Sequence, residues 1–317
     1  MRFIRTMLIN ITIFFILFIT FDYSFFKYQS FLWNKTNIMK LYPRYNTFDN
    51  LESNPSSTYV YKTFLRDKYF HKPIYASRKK SPIILFGCSF THFLNDTGLQ
   101  KLLAEYTNRT VYNFSFWGWG TQHMYYLIND NYLYELITKY NNTDKDPELV
   151  IYTYIRDHNL RYNPFYNIIE IAPMLNYKTV DGKLQEKKYN IFEQTIQRPY
   201  IVRFYINKFY SQKTSNLKLL IPITYKLILE SYKKIKTKYP NIKFIILEYI
   251  QDIETNKYEE EMFNKLEKEG IIRIKTKDLS DIDLSSEEYT EIDNFHPNQK
   301  AWETLIEPLA QKIENII

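Results

Sequence analysis

Five short, mostly apolar runs set the strongest limit on how this 317-residue chain can fold. Ile83 to Phe86, Thr110 to Phe114, Leu149 to Tyr154, Lys243 to Tyr249 and Ile271 to Lys275 all have strand length. Runs with so little polar alternation suit strands covered on both faces. Longer stretches with helical character separate them: Gly98 to Tyr106, Gln122 to Lys139, Leu217 to Lys238, Tyr258 to Glu269 and Pro297 to Ile316. That alternation predicts an α/β domain with a parallel five-stranded sheet between two helical layers. Within Leu217 to Lys238, the residues Leu219, Leu220, Ile223, Leu227, Leu229 and Tyr232 recur near helical spacing, and lysines gather at the end favoured by the helix dipole. Pro222 inside that pattern predicts a later start or a kink. The weakly periodic, aromatic segment at about 161–215 is too long for an ordinary connection and reads as an insertion over one end of the sheet.

Ahead of the first strand the chain changes character. Arg2 and Arg5 precede Met7 to Phe21, a run without a charged side chain. With its apolar flanks, the stretch 4–26 approaches the roughly twenty residues that a helix needs to cross a bilayer. One N-terminal transmembrane helix is therefore expected. It should stay uncleaved, because Asp22, Tyr23, Ser24, Phe25 and Phe26 follow it rather than small residues. The two arginines keep the N-terminus cytoplasmic and place the following domain outside the cytoplasm, in a periplasm or at a cell surface. The expected division is a membrane anchor over 1–26, an irregular stalk or clasp over 27–80, and one domain over 81–317.

Lys and Arg number 42 against 35 Asp and Glu, a net charge of +7. The lysines are scattered among Asn, Ile, Tyr and Phe, a mixture that an AT-rich coding sequence yields, and no arginine-rich helix or groove-reading motif occurs. No nucleic-acid partner is expected. Cys88 is the single cysteine, which excludes an intramolecular disulfide and a cysteine-rich metal site. His71, His92 and His123 lack carboxylate or cysteine partners at ligand spacing, and there is no phosphate loop or dinucleotide fingerprint. No metal and no cofactor are expected.

Two motifs carry chemistry. Gly87-Cys88-Ser89 ends the first strand, where a serine is exposed at the mouth of a parallel sheet beside the N–H groups of the next turn. By itself this is equally a turn serine that satisfies local backbone. The second motif, Asp293-Asn294-Phe295-His296-Pro297, leads into the last helix, with Pro297 suited to its first turn. If the Asp293 carboxylate accepts from one imidazole nitrogen, the other is left as a base for a serine hydroxyl. The order Ser89, Asp293, His296 is one used by serine hydrolases. Cys88, one residue earlier, reads as a small buried apolar side chain.

At this point the sequence resembles the SGNH/GDSL hydrolase family over roughly Pro82 to the C-terminus. The resemblance rests on Gly87-Cys88-Ser89-Phe90, on Asn113 through Gly118-Trp119-Gly120-Thr121, and on Asp293-x-x-His296. It implies a three-layer, flavodoxin-like α/β/α fold with Ser89 as nucleophile, His296 as general base and Asp293 as its orienting acid. It also implies an oxyanion hole from the backbone N–H groups of Ser89 and Gly118 and an asparagine side chain in a third block. Cys88 replaces the acid of Gly-Asp-Ser. The third block departs further: Gly-x-Asn-Asp falls on Tyr154-Ile155-Arg156-Asp157, with neither glycine nor asparagine. Two readings stand: Arg156 or Asn159 supplies the missing donor, or Arg156, Asp157, His158 and Arg161 form a polar cluster that fixes the loop. The activity implied is that of a membrane-anchored serine esterase or deacetylase acting on an acyl oxygen ester of an envelope glycan or lipid. Acyl transfer to a glycan, and a non-catalytic glycan-binding or assembly module, are the alternatives.

Overall fold

In the computed structural model, residues 7, 9–21, 23–24, 73–92, 98–115, 119–129, 131–159, 161, 177–181, 183–186, 214–250, 256–291 and 296–317 are described. Seven strands are found among them: β1 (Ile83–Phe86), β2 (Val111–Asn113), β3 (Leu149–Tyr154), β4 (Tyr177–Val180), β5 (Lys183–Glu186), β6 (Lys243–Glu248) and β7 (Ile272–Lys275). All five expected strands form within a residue of their sequence bounds. They join one parallel sheet in the order β2-β1-β3-β6-β7. Counting sheet strands alone, this is the doubly wound order 2-1-3-4-5. Its reversal lies between β1 and β3, the position at which doubly wound sheets bind ligands beyond the carboxyl ends of their strands.

Among the described residues the helices of the domain are α1 (Ser89–His92), α2 (Leu99–Thr107), α3 (Thr121–Asn129), α4 (Asn131–Tyr140), α5 (Thr214–Lys238), α6 (Lys257–Lys268) and α7 (Gln299–Ile316). Strand residues alternate between the two faces of the sheet. Ile84, Phe86, Val150, Tyr152, Phe244 and Ile246 join a core with α3, α4, α5 and α6. Ile83, Leu85, Leu149, Ile151, Ile245 and Leu247 join a second core with α2 and α7. The result is the expected three-layer α/β/α arrangement.

Several expectations need correction. Gln122 to Lys139 is helical over Thr121–Asn129 and Asn131–Tyr140. Pro222 neither delays nor ends α5, which runs from Thr214 to Lys238 with the proline inside it. The aromatic insertion contains an antiparallel hairpin, β4 with β5, whose Tyr177 ring meets Tyr125 of α3 edge-on at 5.0 Å. The end of the expected stalk packs on the domain: Ile74 and Val111 exchange backbone hydrogen bonds of 3.3 and 3.1 Å, covering the edge of β2.

The expected transmembrane helix is not shown. Among the described residues no helix is long and apolar enough to cross a membrane. Residues 9–21 are helical, spanning ~20 Å at ~1.5 Å per residue. Their large apolar side chains, Ile9, Ile13, Phe14, Phe15, Ile16 and Leu17 among them, are exposed.

Candidate active site

β1 delivers the chain to the carboxyl edge of the sheet at Phe86, and Gly87 turns it into α1. Space dictates the glycine: a Cβ there would stand 2.0 Å from Thr91 Oγ1 and 3.3 Å from Thr153 Cβ. Any other residue would force α1 away from the sheet. Thr91 N–H donates to Cys88 O at 3.0 Å and closes the turn. Cys88 points into the core and is fully buried, so Ser89 is the side chain left at the mouth of the sheet.

His296 is placed from the other end of the chain. Glu291 N–H donates to His296 O at 2.8 Å and Asn298 N–H donates to Tyr289 O at 3.0 Å, forming a short antiparallel bridge between Thr290 and Pro297. Both bonds come from residues flanking the pair, so the N–H that proline lacks is not needed. Pro297 thus lies outside the last helix rather than in its first turn. Asn298 is the cap: its side-chain oxygen accepts from Ala301 N–H at 3.0 Å, and its amide donates to Glu288 O and Thr290 O at 2.9 and 3.1 Å. This scaffold sets His296 Nε2 2.7 Å from Ser89 Oγ across 207 residues of sequence. Ser89 is 5% exposed and His296 is partly buried, and the pair is close and hydrogen-bonded. Asp293 and Gly118 lie outside the described residues.

The turn after β3 is organised differently. Residues Arg156–Asn159 form a single 3-10 turn that is drawn onto Glu259 of α6, a carboxylate 1% exposed. Arg156 Nε donates to Glu259 Oε2 at 3.0 Å, and Asn159 Nδ2 donates to Glu259 Oε1 at 2.9 Å. The Tyr154 hydroxyl donates to the same Oε1 at 2.9 Å and accepts from Asn159 Nδ2 at 2.5 Å. In this arrangement the Asn159 amide and the Nε of Arg156 both donate to Glu259. Burial, followed by the Glu259 charge, holds the Tyr154 hydroxyl well above the usual phenol range.

A second set of contacts ties this turn to the loop after β2. Arg161 donates through Nη1 to Trp119 O, and Gly120 N–H donates to His123 Nδ1 at 3.0 Å. The two atoms belong to one peptide unit, held from both sides. Trp119 stacks on His123 with an interplanar angle of 2°. Thr121 Oγ1 and His158 Nδ1 lie 3.0 and 2.6 Å from the Tyr152 hydroxyl. His158 is fully buried; burial first, then the positive charges of Arg161 and His123, hold its pKa well below the ordinary imidazole value. Among the described residues, no group of three His, Cys, Asp or Glu side chains is placed to hold a metal ion.

The structure thus brings Ser89 and His296 together and assigns Arg156 and Asn159 to Glu259. Reading the sequence missed Glu259, although Asn256-x-x-Glu259 carries the signature of a capping box and forms one. It also missed Trp302, whose indole Nε1 donates to Phe90 O at 3.2 Å. No local pattern announces that contact.

No family profile and no curated protein matches the sequence. Similar solved structures exist. An acetyl xylan esterase from the rumen bacterium Butyrivibrio proteoclasticus is 13% identical, with a TM-score of 0.44 over 75% of this chain and 64% of its own. A protein of the lipolytic G-D-S-L family from Desulfitobacterium hafniense DCB-2 is 10% identical, with a TM-score of 0.40 over 73% of this chain and 99% of its own. A salicylyl-acyltransferase from a tetracycline biosynthetic pathway is 11% identical, with a TM-score of 0.40 over 76% of this chain and 57% of its own. Esterases of the GDSL/SGNH type are thus among the structures that this chain resembles, and it spans less than two thirds of the first of them.

Proposed function

We propose that this chain is a serine esterase that removes an acyl group from an oxygen ester through Ser89, His296 and Asp293. One observation carries the reading: the 2.7 Å contact between His296 Nε2 and Ser89 Oγ at the carboxyl edge of a parallel sheet. Two loops 207 residues apart converge there on a nucleophile and a base, an arrangement that general-base activation of a hydroxyl requires.

In this mechanism His296 Nε2 accepts the hydroxyl proton while Ser89 Oγ attacks the ester carbonyl. Asp293 accepts from Nδ1–H and keeps the imidazole in the tautomer that leaves Nε2 free to accept. The oxyanion of the tetrahedral intermediate lies against the N–H groups of Ser89 and Gly118. Collapse expels the alcohol, which takes the proton back from His296 and leaves Ser89 acylated. Water then attacks with the same imidazole as base. An acceptor hydroxyl in place of water turns the same steps into acyl transfer, the second reading.

The substrate proposed is an acylated glycan or lipid held near a membrane, with the chain anchored through residues 4–26 and its domain outside the cytoplasm. The support is the run of exposed Ile, Phe and Leu side chains between residues 9 and 21, which water solvates poorly. The test is turnover of p-nitrophenyl acetate and longer esters by the full chain in detergent, together with labelling by a fluorophosphonate. Turnover and label at Ser89, both lost in Ser89→Ala, are expected. No turnover and no label would reduce the chain to a non-catalytic module on this fold.

A further inference from the structure

We propose that Trp302 is a positioning residue that sets the distance between Ser89 and His296, a role that rests on the esterase reading above. Trp302 belongs to the first turns of α7, the helix whose N-terminal loop carries His296. Its indole Nε1 donates at 3.2 Å to the carbonyl of Phe90, the residue that follows Ser89. One side chain therefore joins the element behind the base to the turn that carries the nucleophile.

The surrounding rings make that joint stiff. Trp302 is 2% exposed and Phe90 1%. The Phe90 ring lies 5.2 Å from the His296 imidazole and meets Tyr249 edge-on at 5.3 Å. Tyr249 in turn packs 5.3 Å from the Trp302 ring. These rings and the imidazole form an unbroken aromatic path from α7 through the end of β6 to α1 and His296. The Phe90–Tyr249 contact is edge-to-face and the other two are tilted, geometries that restrain relative angle as well as distance. The hydrogen bond adds a directional restraint that apolar packing alone does not supply. Without it, α1 and α7 remain packed, but the turn can slide along the aromatic surface. A displacement near 1 Å between reacting groups costs up to about a hundredfold in rate.

The test removes the donor while keeping the shape. In the full chain, Trp302 is replaced by benzothienylalanine, which puts sulfur in place of the indole N–H, and in a second variant by Trp302→Phe. The benzothienyl variant is expected to lose kcat on p-nitrophenyl acetate by about tenfold or more, with KM within about twofold. Fluorophosphonate labelling of Ser89 slows by the same factor, while the melting temperature stays near that of the parent chain. Trp302→Phe, lacking the donor and part of the ring, should lose at least as much kcat. Unchanged kcat and labelling rate in the benzothienyl variant overturn the proposal. A lowered melting temperature with unchanged kcat for the folded fraction overturns it too, because the side chain then only packs. A parent chain that neither turns over ester nor labels at Ser89 overturns the esterase reading and this role with it. An active parent with active variants overturns this role alone.

Discussion

The turns that follow β1 and β3 leave the same edge of the sheet side by side, yet they use their polar atoms in opposite ways. After β1, Ser89 meets His296 through a single 2.7 Å contact, and its immediate neighbours, Cys88 and Phe90, are buried and apolar. After β3, Arg156, Asn159 and Tyr154 converge on Glu259 with hydrogen bonds of 3.0 Å or less. A hydroxyl whose one strong partner is a base keeps its lone pairs available for attack. A donor already bound to a buried carboxylate is held in place and must give up a charge-assisted bond to act elsewhere. The first turn leaves its serine beside an imidazole and the second ties its polar groups to a carboxylate, although both leave the carboxyl edge of the sheet.

Removing the Ser89 hydroxyl tests that contrast most severely. Ser89→Ala should lower ester turnover by about a thousandfold or more without moving the thermal midpoint, and His296→Ala should do nearly the same. Turnover surviving in Ser89→Ala would assign the chemistry to another group. Glu259→Ala probes the opposite property. It leaves Arg156, Asn159 and Tyr154 without their shared acceptor, so urea unfolding should show a loss of about 3 kcal/mol, while the folded protein keeps most of its kcat. A large loss of kcat with stability intact would move the second turn into the catalytic class.

His158 gives a smaller effect that depends on pH. Its pKa is held low in the folded state by burial, Arg161 and His123, so below the ordinary imidazole pKa of about 6.5 the unfolded chain binds the proton that the folded chain refuses. Stability should fall as pH drops through about 6.5, by up to about 1.4 kcal/mol per pH unit from this group. His158→Gln should flatten that slope between pH 7 and 5 in denaturant titrations. The smallest effect is expected for Arg156→Ala. Its guanidinium is partly exposed and holds Glu259, so kcat should change by less than about threefold. A hundredfold loss would make it an oxyanion donor after all.

The strands and the Ser89 and His296 positions were legible because each leaves a local trace. Ile83 to Phe86 is uniformly apolar and ends at a glycine; Pro297 follows His296 and marks the approach to the last helix. The hairpin of β4 and β5 carries the Asp181-Gly182 pair of a two-residue hairpin loop, but its flanking residues mix Lys, Thr, Gln and Glu without an apolar face, so the strands themselves stand out weakly. The Arg156 turn was open to two readings for a different reason. Arg156 and Glu259 lie 103 residues apart, and nothing near Arg156 in the sequence says whether its charge will face a partner or a substrate.

By itself the sequence determined the periodicities, hence five strands, the helices between them and two candidate groups at separate loops. Those features depend on neighbours a few residues away, where side-chain spacing and backbone preference act directly. The tertiary structure decided the pairings: Ser89 with His296, Asn159 and Arg156 with Glu259, and Trp302 with the carbonyl of Phe90. Such contacts exist only once the strand order β2-β1-β3-β6-β7 has brought distant loops to one edge, and their hydrogen bonds carry no periodic trace in the chain.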